Sequence, residues 1–218
     1  MRLLEKLYRS SFGRLLSVVG NALALISKPY MIYGVIDPKT NIYRKYTRLS
    51  STTAIMNRQN LSLGDHVWIW HHSIIDATEG LTIQEGCQIG AWVGIFTHGS
   101  ENAIRLLGSR FVHIPNAERK GYTRGSVKIG AYTFIGAGSV ILPRVTIGKG
   151  CLIGAGSLVI KDVPDYSIVI GSPGSIKGST LEQDKKFFKE FDFTETYYDK
   201  EALEIIKRNI QKERSEKS

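Results

Sequence analysis

A strict six-residue period runs through the middle of this chain. Ile135-Gly136-Ala137-Gly138-Ser139 returns as Ile153-Gly154-Ala155-Gly156-Ser157. Around these runs an aliphatic residue recurs at every sixth position: Ile129, Ile135, Ile141, Ile147, Ile153 and Val159. The fourth residue after each is small or β-branched: Thr133, Ser139, Val145, Cys151, Ser157 and Val163. A helix repeats near 3.6 residues and a flat strand at 2, so neither accounts for a period of six. A triangular prism does. Three short strands make one coil, and coils stack at the strand spacing of about 4.8 Å. The aliphatic residue points inward and the small one fits beside the corner. Six-residue repeats are a signature of parallel β-helices.

The period begins earlier, at Leu63, Ile69, Ile75 and Leu81, slips by two, and resumes at Ile83, Ile89 and Ile95. Gly99 to Ser126 is glycine-rich, charged and off-register, which predicts one long loop leaving the prism. The chain therefore divides into an amphipathic or irregular N-terminal segment (1–60), a β-helix domain (61–178, loop 99–126) and a C-terminal extension (179–218). In the extension, Leu203, Ile205, Ile206 and Ile210 alternate with charges at helical spacing, which predicts a helix from Glu201 to Lys212. In the N-terminal segment, apolar residues from Leu3 to Ile26 recur at roughly helical spacing among Arg2, Lys6, Arg9 and Arg14. Its uncharged run, Leu15 to Ser27, is too short to span a bilayer. An amphipathic helix packed on the prism end and an interfacial membrane helix both fit this composition.

Composition excludes some functions. The net charge of +9 is scattered, with no alternation of aromatic and basic residues, so a nucleic-acid partner is not expected. Attraction to an anionic saccharide or membrane surface remains open. Cys87 and Cys151 both occupy the inward small position of a repeat, so they read as packing residues rather than a disulfide.

The segments 89–100 (IGAWVGIFTHGS) and 127–174, with the loop between them, resemble the hexapeptide-repeat acyltransferases, in particular sugar and polysaccharide O-acetyltransferases. That resemblance implies a mainly β fold, a left-handed parallel β-helix with a long excursion loop and flanking N- and C-terminal helices. It implies acetyl-CoA as acyl donor, no metal, a saccharide acceptor, a homotrimer, and a cytoplasmic location that extends to the inner face of the membrane if residues 1–30 associate peripherally with it.

The resemblance also assigns roles. His98 stands where the family places its catalytic histidine, just before the break. An alcohol is a poor nucleophile at neutral pH, and an imidazole can take its proton and pass it to the departing thiolate. The partner that would orient the ring stays open between a backbone carbonyl and Glu101. Ala137 and Ala155 should stack one above the other on one face, with Ala91 in the same column and Gly138 and Gly156 in the next, leaving a groove for the pantetheine arm. Phe134 stands where the family often has tryptophan. Ser175 stands where it has a basic residue, with Lys177 as the replacement and Lys161 nearby for the coenzyme phosphates. Trp92 and His72 would close the column. With Trp70, His71 and Asp76 they form the candidate acceptor site, where rings cover the C–H face of a sugar and the carboxylate accepts from hydroxyls.

Rival readings are a γ-type carbonic anhydrase, suggested by the His66/His71 spacing, a non-catalytic β-helical scaffold, and an antibiotic (chloramphenicol-like) acetyltransferase of the same fold.

Overall fold

A computed structural model describes Leu15 and residues 28–215. The chain separates into two compact units, Met1–Tyr30 and Met31–Ser218. The amphipathic reading of residues 1–30 falls almost wholly outside the described residues. Among the described residues, no helix is long and apolar enough to cross a membrane.

The second unit is a triangular prism of short parallel strands. Face A stacks Leu61–Leu63, Leu81–Ile83, Val127–Ile129 and Thr146–Ile147. Face B stacks Tyr43–Ser50, Trp68–Ile69, Gln88–Ile89, Phe134–Ile135, Leu152–Ile153 and Ser167–Ile170. Face C stacks Ala54–Met56, Ile74–Asp76, Gly94–Ile95, Val140–Ile141 and Leu158–Val159. The pairs Ile129–Ile147, Ile135–Ile153 and Ile141–Val159 place each repeat directly on the one before it. These aliphatic side chains are buried in one continuous core.

The small inward residues have a second task. Each follows a two-residue corner and reaches the carbonyl of a neighbouring coil. The Thr133 hydroxyl donates to Gly148 O at 2.8 Å, Ser139 to Gly154 O at 3.0 Å and Ser73 to Gly90 O at 3.0 Å. A small polar residue thus satisfies backbone that a tight turn leaves unpaired. Cys87 and Cys151 occupy the equivalent position, buried and unbridged. Burial pushes the Cys87 thiol up to about 12, so it is inert packing.

The prism reaches further back than residue 61. Residues 43–50 form a face B strand paired with Trp68–Ile69, and 54–56 a face C strand paired with Ile74–Asp76. Met31–Ile36 joins antiparallel to 43–50. Leu49 and Ile55 are spaced six apart and continue the repeat. Tyr, Arg and Thr neighbours hide that in the sequence. At the other end, Ser175–Ser179 folds antiparallel onto Ser167–Ile170, and helices α2 (Thr180–Phe188) and α3 (Lys200–Ser215) follow. The break at 99–126 is an excursion whose base is a short antiparallel pair, His98–Gly99 with Thr123–Arg124. It contains a one-turn helix, α1 (Ala103–Leu107), and 3-10 turns.

Candidate active site

Three corners join the faces, and the functional candidates divide among them. The corner between faces B and C carries two-residue turns: His71-His72, Ala91-Trp92, Ala137-Gly138 and Ala155-Gly156. Their backbones stack, since Trp92 N–H donates to His71 O at 3.0 Å, Gly138 to Ala91 O at 2.8 Å and Gly156 to Ala137 O at 2.9 Å. The expected columns exist, but at this corner rather than on the flat of face B. The reason is the turn itself. Its second residue takes a left-handed backbone, with φ of 61° at His72, 55° at Trp92, 71° at Gly138 and 70° at Gly156. Glycine adopts this freely, and a Cβ at Gly138 or Gly156 would meet nothing within 4 Å. Ala137 and Ala155 are exposed. The lower corner is therefore an open, small-walled groove. Its upper end is filled by Trp92, stacked at 6.0 Å on His72. Bulky residues in that backbone region are strained and cluster at functional sites.

His98 lies at a different corner, between faces C and A. Asp76 ends its face C strand with the outward parity of exposed Ile74, yet it is fully buried. The wide turn 77–80 and Thr97 of the next coil close over it. Thr78 N–H donates to one carboxylate oxygen at 2.9 Å, and the Thr78 hydroxyl donates to the same oxygen. The other oxygen accepts from Thr97 N–H at 2.9 Å, the Thr97 hydroxyl at 3.0 Å and His98 Nδ1 at 2.8 Å. Burial pushes the Asp76 carboxyl up. The Thr78 hydroxyl, the Thr97 and Thr78 amides and the Thr97 hydroxyl more than offset that, and hold it at about 2. An ionised Asp76 accepts the Nδ1 proton of His98, which leaves the Nε2 lone pair free.

This corrects two expectations. Asp76, with both oxygens engaged beneath the surface, does not face an acceptor; it orients His98. Glu101 is not that partner, since it accepts instead from Thr123. The rest of the expected acceptor cluster, Trp70, His71, His72 and Trp92, lies at the B–C corner, away from His98 in the same chain. His71 Nδ1 is engaged by Ser50 Oγ at 2.6 Å. Phe134 is half-exposed on face B, beside the alanine column. Lys161 sits beyond the far end of a face C strand, and Lys177 on the C-terminal hairpin. They are not brought to one place. His66 and His71 fall at different corners, which separates the spacing that suggested a zinc enzyme.

The excursion supplies residues that the sequence pattern does not mark. Tyr122 stacks on His98 at 6.2 Å, and Phe111 stacks on Tyr122 at 6.1 Å. Arg124, paired in register with His98, bonds Glu79 and covers the Tyr122 ring at 4.6 Å. These contacts fold the loop back as a wall beside His98.

The repeat matches the description "Bacterial transferase hexapeptide (six repeats)" over residues 126–161. Over that segment the chain is similar to the hexapeptide-repeat transferases. It is 35% identical over 120 residues to nodulation protein L of Rhizobium meliloti, covering 55% of this chain and 60% of that one. It is 40% identical over 131 residues to serine acetyltransferase 4 of Arabidopsis thaliana, covering 57% and 37%. The chain thus spans less than two thirds of the length of these curated relatives. Among solved structures it shares the fold of AntD, an N-acyltransferase from Bacillus cereus solved with dTDP and 3-hydroxybutyryl-CoA. The TM-score is 0.52 at 24% identity, over 67% of this chain and 88% of that one.

Proposed function

We propose that the chain is an O-acetyltransferase that moves an acetyl group from acetyl-CoA to a hydroxyl of a sugar or of a cell-envelope polysaccharide precursor. The observation that carries this is the buried Asp76 carboxylate on His98 Nδ1, at 2.8 Å. It leaves Nε2 as the base at a corner walled by aromatic rings. His98 Nε2 takes the proton of the acceptor hydroxyl as its oxygen attacks the thioester carbonyl. When the carbon–sulfur bond breaks, the imidazolium returns that proton to the thiolate. No acyl-enzyme is needed. The relatives named serine acetyltransferases favour a hydroxyl acceptor.

The active unit in this reading is a homotrimer. The small-residue groove and His98 lie at opposite edges of face C. Apart from the covered Asp76, the solvent side of that face is apolar at Ala54, Met56, Ile74, Val140, Leu158 and Ile160. Face A presents Ser62, Thr82, Lys128 and Thr146 instead. Three copies that turn face C to a common axis bury the apolar side and bring the B–C corner of one chain against the His98 corner of the next. The pantetheine arm would lie along Ala137 and Ala155, near Phe134, with its thioester stopped at Trp92. Lys161 and Lys177 are the candidate phosphate contacts, and Trp70, His71, His72 and Trp92 line the acceptor side.

The test is thiol release from acetyl-CoA with a panel of sugar acceptors, beside a calorimetric coenzyme A titration of His98→Ala. Transfer should fall on the order of 100- to 10,000-fold with coenzyme A affinity unchanged. If wild type binds no coenzyme A, or if the variant keeps more than about a tenth of its turnover, this function is wrong.

A further inference from the structure

Face B holds a second aromatic site that the transfer chemistry does not use. Tyr46, Arg48, His66, Trp68, Gln88 and Tyr132 line a cleft of about 400 Å³ on the side of face B towards the A–B corner. Four features distinguish it from an ordinary sheet surface. Arg48, partly exposed, lies over Trp68 at 4.9 Å and Tyr33 at 5.4 Å, and no ion pair among the described residues engages it. Trp68 Nε1 is buried without a hydrogen-bond partner. His66 and Tyr132 occupy the left-handed corner position, at φ of 56° and 55°, where Gly86 and Gly150 serve in other coils. Rings are thus held at two positions where glycine would fit without strain. Tyr132 also covers Gly86, whose missing side chain makes room for the ring.

The cleft is not isolated. Trp68 is 5.0 Å from Trp70, Trp70 is 5.0 Å from His71, His71 is 6.2 Å from His72, and His72 is 6.0 Å from Trp92. An aromatic strip therefore crosses the top of face B from the A–B corner to the B–C corner. His66 and His71 are five residue steps apart, so the strip is roughly 16 Å long at about 3.3 Å per residue. That exceeds what one sugar ring needs.

We propose that this strip, centred on Trp68 and Arg48, binds an acidic oligosaccharide, the part of the acceptor that trails away from the transfer site. The proposal rests on the saccharide acetyltransferase reading above for the direction in which the chain runs. Flat rings in series suit successive sugar C–H faces. The exposed Gln88 amide suits hydroxyls. The guanidinium fork, backed by two rings and without an ion pair among the described residues, matches a carboxylate or phosphate on the sugar. A neutral sugar would leave it unpaired. The overall charge of +9 attracts an anionic polymer.

The experiment presents the full-length protein to an array of immobilised acidic and neutral oligosaccharides of graded length. Wild type, Trp68→Ala, Arg48→Gln and His98→Ala are compared, each also titrated with coenzyme A. Retention should favour acidic members and strengthen with length. Trp68→Ala and Arg48→Gln should each weaken it at least about tenfold, while His98→Ala leaves it unchanged. Coenzyme A affinity should be the same in all four, which also identifies any variant that fails to fold. Arg48→Gln changes a surface group and serves if Trp68→Ala does not fold. If no acidic member is retained, or if both variants bind as wild type does, the cleft is not a saccharide site. Binding without any acetyl transfer keeps the cleft and removes the acetyltransferase. Transfer that is indifferent to acceptor length and charge keeps the enzyme and removes the cleft.

Discussion

The two corners that flank face C come from the same repeat and have opposite habits. The B–C corner turns in two residues in every coil, and its lower coils present Ala137, Gly138, Ala155 and Gly156 in register. The His98 corner changes along the prism. It makes four-residue turns at 57–60 and 77–80, opens into the excursion 99–126, and then closes at Pro143-Arg144. Repetition gives a straight groove with nothing in it but backbone and methyl groups, which suits a long, thin ligand. Irregularity gives burial on the outside of the prism, and burial is what Asp76 needs to hold an imidazole. A coil that closed at the third corner in two residues would leave Asp76 in water.

The largest expected effect comes from separating these corners genetically. His98→Ala and Ala155→Trp trimers should each be nearly inactive. If the corners of neighbouring chains form the site, unfolding and refolding an equal mixture should restore about a quarter of wild-type activity, because about one interface in four joins an intact histidine to an intact groove. An active monomer in sedimentation, or a mixture no better than its parents, would place both halves of the site in one chain.

Ala155→Trp itself is the next step down. The side chain is exposed, so the core at Ile153 is not overpacked. The Michaelis constant for acetyl-CoA should rise at least about tenfold, the loss of roughly 1.4 kcal/mol of binding, with that for the acceptor little changed. A normal donor constant would move the coenzyme elsewhere, and the loop residues Arg110 and Lys120 would be examined next. Arg105, Arg119 and Arg124 already have partners within the excursion.

How much of this was legible beforehand follows the same division. Wherever the period holds, the sequence is sufficient: Ile135 over Ile153, Ala137 over Ala155, Trp92 capping the column and the excursion at 99–126 all follow from counting sixes. Where it fails, counting says less. Leu49 and Ile55 do not stand out, because a first coil has no earlier coil to confirm its phase. Counting puts Asp76 one coil from Phe96 and within reach of the His98 corner, but its bond to the ring depends on how the wide turn 77–80 and Thr97 close over the carboxylate, which no spacing rule gives. That bond's one trace is a carboxylate whose outward parity, next to the inward Ile75, suggests an acceptor contact rather than a buried partner for the ring. Tyr122 and Phe111 lie in an aperiodic segment whose path back to His98 depends on tertiary contacts. Helix α2 was missed because its apolar residues do not form a clear stripe, unlike those of α3.

Asp76→Asn tests the irregular corner alone. The amide can donate where the carboxylate accepted, so it favours the wrong His98 tautomer. Turnover should fall on the order of tenfold to a thousandfold with coenzyme A affinity unchanged. Asp76→Ala should lose as much turnover and also stability, since it leaves the Thr97 and Thr78 donors unpaired. Equal turnover in wild type and Asp76→Asn would mean that another group orients the ring.

The smallest effect is in stability against acid, and it separates the two corners most cleanly. The Asp76 carboxyl is held at about 2 in the folded protein, below its ordinary 3.8. A group depressed in this way contributes stability that is present above 3.8 and is lost as pH falls towards 2. The contribution at neutral pH is on the order of 2 kcal/mol. Denaturant midpoints measured between pH 5 and pH 2 should therefore fall more steeply for wild type than for Asp76→Asn, and the two curves should converge at the acid end. Ala137→Ser, at the corner with no carboxylate among its turn residues, should run parallel to wild type between pH 5 and pH 2. If Asp76→Asn also ran parallel to wild type, the carboxylate would be no better solvated by Thr78, Thr97 and His98 than by water. The buried anion could then no longer be what fixes His98.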